Sequence, residues 1–259
     1  MTFPLDACLQ ASFLLAFLQL QHVLRETGEG NMKRALETMP ETTDDAFDKI
    51  LKRIEANSGS SSRKTALRTL TWCYYAKRAL KMEELREALV IEDGDNELRR
   101  NENSSTSIVE CCLSFVTLDQ LTGEVRFVHP SVQRWFEIEP HRKLLPPDYV
   151  AKACLTYLKF DVFDVPISES MRISPDKSAL FYQYAARFWS DHTREVQQEP
   201  TIQAASLAFL EAEICRDLML RTNARVQAEE YHGGHSSLHV AASRGLDALC
   251  HLLLAENMR

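Results

Sequence analysis

The chain has 259 residues, which is enough for one large or two small domains. Its hydrophobic content of 45% and charged content of 26% are typical of a globular protein. The formal net charge is −7, whereas proteins that bind nucleic acid through its phosphates usually present a basic face. The charge therefore argues against a nucleic-acid partner.

The cysteines and the N-terminal apolar run bear on where the protein works. The seven cysteines are irregularly spaced and include no C-x-x-C pair, whereas disulfide-bonded secreted domains favour an even number. The run from Phe13 to Leu18 resembles the core of a signal peptide, but Asp6 precedes it and no Lys or Arg does. It is also too short to span a bilayer. We therefore predict a buried helix in a cytoplasmic protein with reduced thiols and no membrane partner.

Apolar periodicity predicts helices through the first part of the chain, at residues 7–26, 32–39, 44–56, 65–76 and 82–90. Gly28 and Gly30 are expected to end the first of them. Thr42 or Thr43 can cap the third, because a hydroxyl there accepts from a first-turn N–H. The apolar face of that helix consists of Phe47, Ile50, Leu51 and Ile54.

The next segment changes from a helical to a strand-like period. A short helix is expected at residues 108–113, followed by β-rich stretches at 115–118 and 125–128 around Leu121-Thr122-Gly123, which predicts a hairpin. Pro130 can occupy the first turn of the following helix, where its missing N–H costs nothing. Three helices followed by a two-stranded hairpin is the order of a winged helix. The inward residues of the last helix are Val132, Trp135 and Phe136.

The chain returns to a helical pattern after residue 141. The strongest stretches are residues 149–160 and 178–192, and a further helix is expected at residues 206–220. Aromatic side chains recur at helical spacing in the second stretch, and we expect them in the core. The inward residues there are Leu180, Phe181, Tyr184, Phe188 and Trp189.

Residues 234–245 read GHSSLHVAASRG and follow the ankyrin pattern G-x-T-P-L-H-x-A-A-x-x-G, with Ser236-Ser237 in place of Thr-Pro. The candidate motif residues are Gly234, Leu238, His239, Ala241, Ala242, Gly245, Leu252 and Leu253. Ankyrin repeats of roughly 33 residues are stabilised by stacking, so we expect an incomplete array whose last helices are weakly protected. The expected fold class is mainly α: a winged helix with a small β-hairpin, a helical region and a truncated ankyrin repeat.

Four stretches, taken in order, resemble the middle of fungal NACHT–ankyrin proteins, members of the STAND class of signalling ATPases. They read MPETTDDAFDKIL at 39–51, AKRALKMEELREAL at 76–89, GEVRFVHPSV at 123–132 and YAARFW at 184–189. The resemblance implies a helical remnant following a NACHT NTPase core at 1–39, a winged helix at 40–140, a helical linker at 141–228 and the first ankyrin repeat at 229–259.

The resemblance also implies partners. In a longer protein the winged helix would pack on the NTPase domain in an autoinhibited state, and the ankyrin face would bind a protein. Winged helices of this kind carry the name of GPI inositol-deacylase, which implies no lipase activity.

His129 is the one candidate for contact with a cofactor. The resemblance implies that, with a NACHT domain present, it touches the β-phosphate of bound ADP and senses the nucleotide. An imidazole beside helix N–H groups suits an anion. The residues alone leave an alternative, in which His129 caps the helix or bonds a neighbouring loop.

The sequence signatures of catalysis are missing. A P-loop needs Gly-Lys-Ser/Thr, and none of the eight glycines precedes a lysine. An esterase needs G-x-S-x-G, and the nearest candidate, residues 59–63, lacks the second glycine. We therefore expect no catalytic residue, no cofactor bound by this chain alone and no hydrolysis of ATP.

Two clusters could suggest chemistry, but a structural role is expected for both. His232, His235 and His239 have metal-like spacing, but zinc needs three or four ligands and His239 belongs to the ankyrin pattern. Cys111 and Cys112 are adjacent, and neighbours on a helix point in different directions, so we expect buried packing.

The leading hypothesis is a non-catalytic regulatory and protein-interaction segment. The alternative is a DNA-binding winged-helix regulator. Its recognition helix would lie near residues 106–115, which contain Glu110 and no Lys or Arg, although DNA readout calls for basic or amide side chains. A hydrolase has only the borrowed family name in its favour.

Overall fold

A computed structural model describes residues 4–24, 26–56, 61–99, 101, 103–138, 144–164, 179–227 and 233–257. The described chain is mainly α-helical and contains a small antiparallel hairpin. It divides into two compact units: the hairpin unit, residues 1–74 and 104–144, and the helical unit, residues 75–103 and 145–259. The domain boundaries expected from the sequence stay predictions.

The elements follow the predicted order closely, with ends shifted by a few residues. Strand β1 and the 3₁₀ turn are too short to produce a sequence pattern. In chain order the elements are α1 (Pro4–Leu24), α2 (Glu29–Glu37), α3 (Thr43–Ala56), α4 (Ser61–Tyr75), β1 (Leu80–Lys81), α5 (Met82–Ala88), α6 (Ser105–Cys111), β2 (Val116–Leu118), β3 (Glu124–Phe127), α7 (Pro130–Ile138), α8 (Pro147–Leu158), a 3₁₀ turn (Asp161–Phe163), α9 (Tyr182–Glu195), α10 (Pro200–Glu211), α11 (Glu213–Gln227), α12 (Ser237–Ser243) and α13 (Asp247–Asn257).

Two predicted helix boundaries are wrong. Residues 206–220 do not form one helix, because Ala212 has a ψ of 83° and separates α10 from α11. The Ala212 carbonyl accepts from Arg216 N–H at 2.9 Å, so it begins the second helix instead of continuing the first. Gly30 does not end the first helix, because it lies inside α2. Periodicity does not reveal a break that a single residue makes.

Helix α3 is capped at its N-terminus by the side chain of Thr42. Thr42 Oγ1 accepts from Asp45 N–H at 3.1 Å, and the Thr42 hydroxyl donates to the Asp45 carboxylate at 2.8 Å. Thr42, not Thr43, is therefore the cap. The predicted apolar face is confirmed, with Phe47, Leu51 and Ile54 buried and Ile50 half-buried.

An aromatic cluster forms the core of the hairpin unit. Phe115, which immediately precedes β2, lies 5.8 Å from Phe47 of α3 and 5.9 Å from Trp135 of α7, measured between ring centroids. Phe136 lies 4.9 Å from Trp135 and 5.7 Å from Phe115. Each aromatic pair contributes about 0.5–1.5 kcal/mol beyond the area that it buries. The cluster therefore holds the hairpin against α3 and α7.

The β2–β3 turn is closed by a side chain that the sequence patterns do not single out. The Asp119 carboxylate accepts from the N–H groups of Leu121 and Thr122 at 2.9 and 3.2 Å, and these bonds lower the pKa of Asp119. Gly123 follows with a φ of 73°, which favours glycine. The antiparallel register pairs Val116 with Phe127, Thr117 with Arg126 and Leu118 with Val125.

Helices α8 and α9 form the centre of the helical unit, with α10 against α8 and α11 against α9. The expected burial is confirmed for Phe181, Tyr184 and Trp189, whereas Leu180 is partly exposed. Ser178, the predicted start of the helix, lies outside the described residues. The large buried aromatic residues of this unit are Tyr157, Phe160, Phe163, Phe181, Tyr182, Tyr184, Trp189 and Phe209.

Glu87 of α5 anchors the start of α9. Its carboxylate accepts from the backbone N–H groups of Leu180 and Phe181 at 3.1 and 3.0 Å. The first N–H groups of a helix have no partner within it, and an anion suits the positive end of the helix dipole. The Tyr157 hydroxyl also donates to Glu87, and burial, followed by the charge of Glu87, raises the pKa of Tyr157 so that it keeps this proton.

Tyr184 and His192 form a buried pair on α9. The Tyr184 oxygen accepts from Lys77 N–H at 3.0 Å and lies 2.9 Å from His192 Nε2. Burial, and then the charge of Lys77, lowers the pKa of His192 from 6.5 to about 4, although Asp191 acts in the opposite direction.

We expect Glu87→Ala to lower the free energy of unfolding by about 2–3 kcal/mol, because it leaves two N–H groups and one hydroxyl without their acceptor. Glu83→Ala is the matched control, since Glu83 lies exposed on the same helix. Urea unfolding measures both. Equal effects of the two substitutions would show that Glu87 is not an anchor.

We also expect His192 to make the protein less stable in acid. Because its pKa is lower in the folded state, its contribution is complete above pH 6.5 and is lost as pH falls toward about 4. The loss is on the order of 3 kcal/mol. Urea unfolding across this range should show a weaker pH dependence in His192→Gln than in the wild type. The control His251→Gln alters an exposed histidine and should keep the wild-type dependence.

Candidate functional site

His129 is the N-cap of α7. Its Nδ1 accepts from Ser131 N–H at 3.1 Å and lies 2.9 Å from the Ser131 hydroxyl. Accepting a backbone N–H places the imidazole proton on Nε2. Burial, and then the charge of Arg134, lowers the pKa of His129 and favours this neutral form. Contact with a phosphate would therefore use Nε2–H, and the nucleotide-sensing role stays a prediction.

Helix α6 is the recognition helix of the DNA-binding alternative. Ser104 caps it by accepting from Ser107 N–H at 3.0 Å. Ile108 faces the core, whereas Glu110 is exposed and is the one charged side chain among residues 104–115. A carboxylate at this position repels the DNA backbone. The geometry of α6 therefore adds no support to the DNA-binding alternative.

Helix α1 has a packed face and an exposed apolar face. Leu14 and Leu18 are buried, and α1 contacts α2 and α3. The prediction of a buried helix is wrong for a second row of side chains, which we call the α1 stripe. Their spacing of four, three and four residues aligns them along the helix. The stripe consists of Phe13, 75% exposed, Phe17, 41%, Leu20, 56%, and Leu24, 61%.

The described ranges were compared with the requirements of a metal site and of a membrane-spanning helix. No three His, Cys, Asp or Glu side chains there are grouped to hold a metal ion. His232 lies outside the described residues, and the rings of His235 and His239 are 6.5 Å apart. No helix in those ranges carries an apolar stretch long enough to cross a bilayer.

The residues of the ankyrin-like motif form the helix pair α12–α13. Ser236 caps α12: its hydroxyl oxygen accepts from His239 N–H at 3.3 Å and lies 2.8 Å from His239 Nδ1. Gly234 and Gly245 have φ of 73° and 66°, which favour glycine in the two turns. Ala241, Leu249 and Leu253 are buried, Leu238 and Leu252 are half-buried, and His239 and Ala242 are exposed.

Ser237, which stands where the pattern has proline, fixes the start of α12 to the end of α10. Its hydroxyl donates to the Leu210 carbonyl at 2.8 Å. The Arg216 guanidinium donates to Ser237 Oγ at 3.1 Å and also to the Leu210 carbonyl. Proline has no hydroxyl and could not donate to the Leu210 carbonyl. Serine at this position therefore ties α12 to α10.

Two side chains near the end of α9 fix the turn between α12 and α13. The Arg194 guanidinium donates twice to the Arg244 carbonyl, at 3.2 and 2.6 Å. Gln197 Oε1 accepts from Ala248 N–H at 3.1 Å, which satisfies a first-turn N–H of α13. The helix pair is therefore attached at two places, at the start of α12 and at the turn between α12 and α13. Local sequence patterns do not predict these attachments, because the partners are distant in sequence.

We expect Ser237→Ala to raise the amide exchange rates of α12 roughly fivefold, because it removes a bond between helices that is worth about 1 kcal/mol. Ser243→Ala is the control, because the Ser243 hydroxyl donates only locally, to the Val240 carbonyl at 3.0 Å. Hydrogen exchange followed by mass spectrometry compares the two variants. An equal response would mean that the bond to Leu210 does not hold α12.

A family model described as GPI inositol-deacylase, winged helix domain, matches residues 54–142, about a third of the chain. The match runs from the end of α3 to just beyond α7 and includes the β2–β3 hairpin. A search of curated proteins and a search of solved structures each found no match. The chain is thus mainly α-helical and contains a winged-helix region at residues 54–142.

Proposed function

We propose that this chain is a non-catalytic regulatory and protein-interaction segment of a STAND-type signalling protein in the cytoplasm. Its winged-helix region packs on a NACHT-type NTPase domain and holds that domain in a closed, ADP-bound state. The α12–α13 pair belongs to an ankyrin-type surface that binds a protein partner. The winged-helix family match supports the first part, and the cap that Ser236 makes with His239 supports the second.

The observation that carries the proposal is the α1 stripe. Four large apolar side chains stand in one row on a helix whose other face is already packed. Contiguous exposed apolar surface marks a site of interaction with another protein. In this proposal the NTPase domain covers the stripe and so binds the hairpin unit in one fixed orientation.

The geometry of His129 supports the autoinhibitory part. Its capping bond to Ser131 holds the imidazole still and leaves a proton on Nε2. A neutral N–H at the start of a nine-residue helix adds a donor to an end that already attracts anions. A β-phosphate held by the NTPase domain is the anion that the proposal assigns to it.

The proposal predicts that the reading frame upstream of this chain encodes an NTPase core with a Gly-Lys-Ser/Thr P-loop. That core, purified separately, should release ADP more slowly when this chain is added in excess. The chain alone should neither bind nor hydrolyse ATP, because its own sequence has no such motif. Release of a fluorescent ADP analogue and the rate of phosphate production measure these outcomes.

Three substitutions make the test specific. Phe17→Glu should abolish the effect, because it buries an unpaired charge under the partner. Leu121→Glu is the control, since Leu121 is 98% exposed at the hairpin turn of the same unit. His129→Ser keeps a capping hydroxyl but removes Nε2–H, so it should speed ADP release without changing the fold.

The proposal fails if the chain does not slow ADP release, or if Phe17→Glu and Leu121→Glu behave alike. Retardation of random duplex DNA that is abolished by added salt would instead favour the DNA-binding alternative.

A further inference from the structure

Cys111 and Cys112 end helix α6 with both thiols directed at one carbonyl. Cys111 Sγ lies 3.0 Å and Cys112 Sγ lies 3.4 Å from the Ile108 oxygen. Each of the two cysteines also affects the pKa of the other. Cys112 is the C-cap of α6 and has left the regular helix, with a ψ of 1°. The Ile108 carbonyl is thus a shared acceptor for two adjacent thiols.

The two sulfurs differ in access and acidity. Cys111 is half-buried, whereas Cys112 is fully buried. The hydrogen bond from Cys112 lowers the pKa of Cys111, while burial raises the pKa of Cys112. A half-buried thiol with a lowered pKa beside a fully buried thiol is an arrangement typical of redox-sensing pairs, in which the second thiol resolves the first.

The backbone that follows the pair has an uncommon conformation. Leu113 and Ser114 have φ of 49° and 78°, and no other non-glycine residue in the described part of the chain has a positive φ. Neighbouring Cα atoms are about 3.8 Å apart, less than the roughly 4.4–6.8 Å usual for a disulfide. A bond within the pair therefore requires this turn to move and is strained, which makes it easy to reduce.

We propose that Cys111 and Cys112 form a reversible, peroxide-reactive dithiol site in the winged-helix region. The Cys111 thiolate attacks a hydroperoxide such as hydrogen peroxide: an S–O bond forms, the O–O bond breaks, and hydroxide leaves and takes up a proton as water. The Cys112 thiol then attacks the Cys111 sulfenic acid: an S–S bond forms, the S–O bond breaks, and a second water leaves. The dithiol loses two electrons and two protons, and the peroxide takes them up.

Cys73 of α4 is the competing partner, because it is near enough for its ionised form to raise the pKa of Cys112. Burial raises the pKa of Cys73 to about 12, so it stays a protonated, unreactive thiol near neutral pH. Trypsin separates the two possible products. The peptide of residues 101–126 contains Cys111 and Cys112 and no other cysteine, while the peptide of residues 69–77 contains Cys73 alone.

The test treats the native chain with hydrogen peroxide, alkylates the remaining thiols in denaturant and digests the protein with trypsin. The peptide of residues 101–126 should be lighter by two hydrogens and should carry no alkyl group. Dithiothreitol added before alkylation should restore two alkylation sites. Cys112→Ser should instead hold Cys111 as a sulfenic acid that dimedone traps, and Cys111→Ser should leave Cys112 available to the alkylating agent.

Cys73→Ser should give the wild-type result. The proposal is overturned if the peptide of residues 101–126 keeps both thiols at a peroxide dose that oxidises the half-buried Cys250. Cross-linking of that peptide to residues 69–77 would overturn it equally. Both of these outcomes are measured on the wild-type chain, so the test does not depend on whether a variant folds.

Discussion

Short helices leave a large share of their backbone N–H and C=O groups without a partner inside the helix, and this constraint governs the helical unit. Side chains distant in sequence supply the missing partners. Glu87 accepts from the N–H groups that precede α9, Ser237 donates to the last turn of α10, and Arg194 donates to the turn after α12. Because helices of this length are marginal alone, each of these bonds also decides which helices lie side by side.

The same constraint fixes the chemistry of the residues singled out for function. His129 and Ser236 both act as N-caps. Capping occupies Nδ1 of His129, so it determines which nitrogen carries the proton and what the imidazole can offer to a ligand. Capping by Ser236 likewise holds the ring of His239 beside the turn. A capping residue such as His129 can therefore also have a functional role, because the cap fixes the orientation in which its side chain would meet a ligand.

Local signals in the sequence are sufficient for α3, the hairpin and α7. Apolar spacing identifies Phe47 as a core residue, and Pro130 marks the start of α7, because both depend on neighbours along the chain. The break at Ala212 and the anchor at Glu87 are not predictable in this way. The first depends on a single backbone angle, and the second depends on which distant helix end meets a carboxylate. For the Cys111–Cys112 pair, the sequence provides adjacency, but the shared bond to the Ile108 carbonyl depends on the backbone at the end of α6.

Large apolar side chains have two different roles in the hairpin unit: the aromatic cluster forms its core, and the α1 stripe lies exposed on its surface. The cluster around Phe115 is fully buried and closes the core without help from Phe13 or Phe17. Removing apolar groups from water stabilises a fold. The α1 stripe is exposed to water, so it does not stabilise the hairpin unit in this way. Its contribution appears only when another polypeptide covers it. Helix α6 has no large exposed apolar side chain and needs no such cover, so α1 is the side of this unit on which we expect a partner.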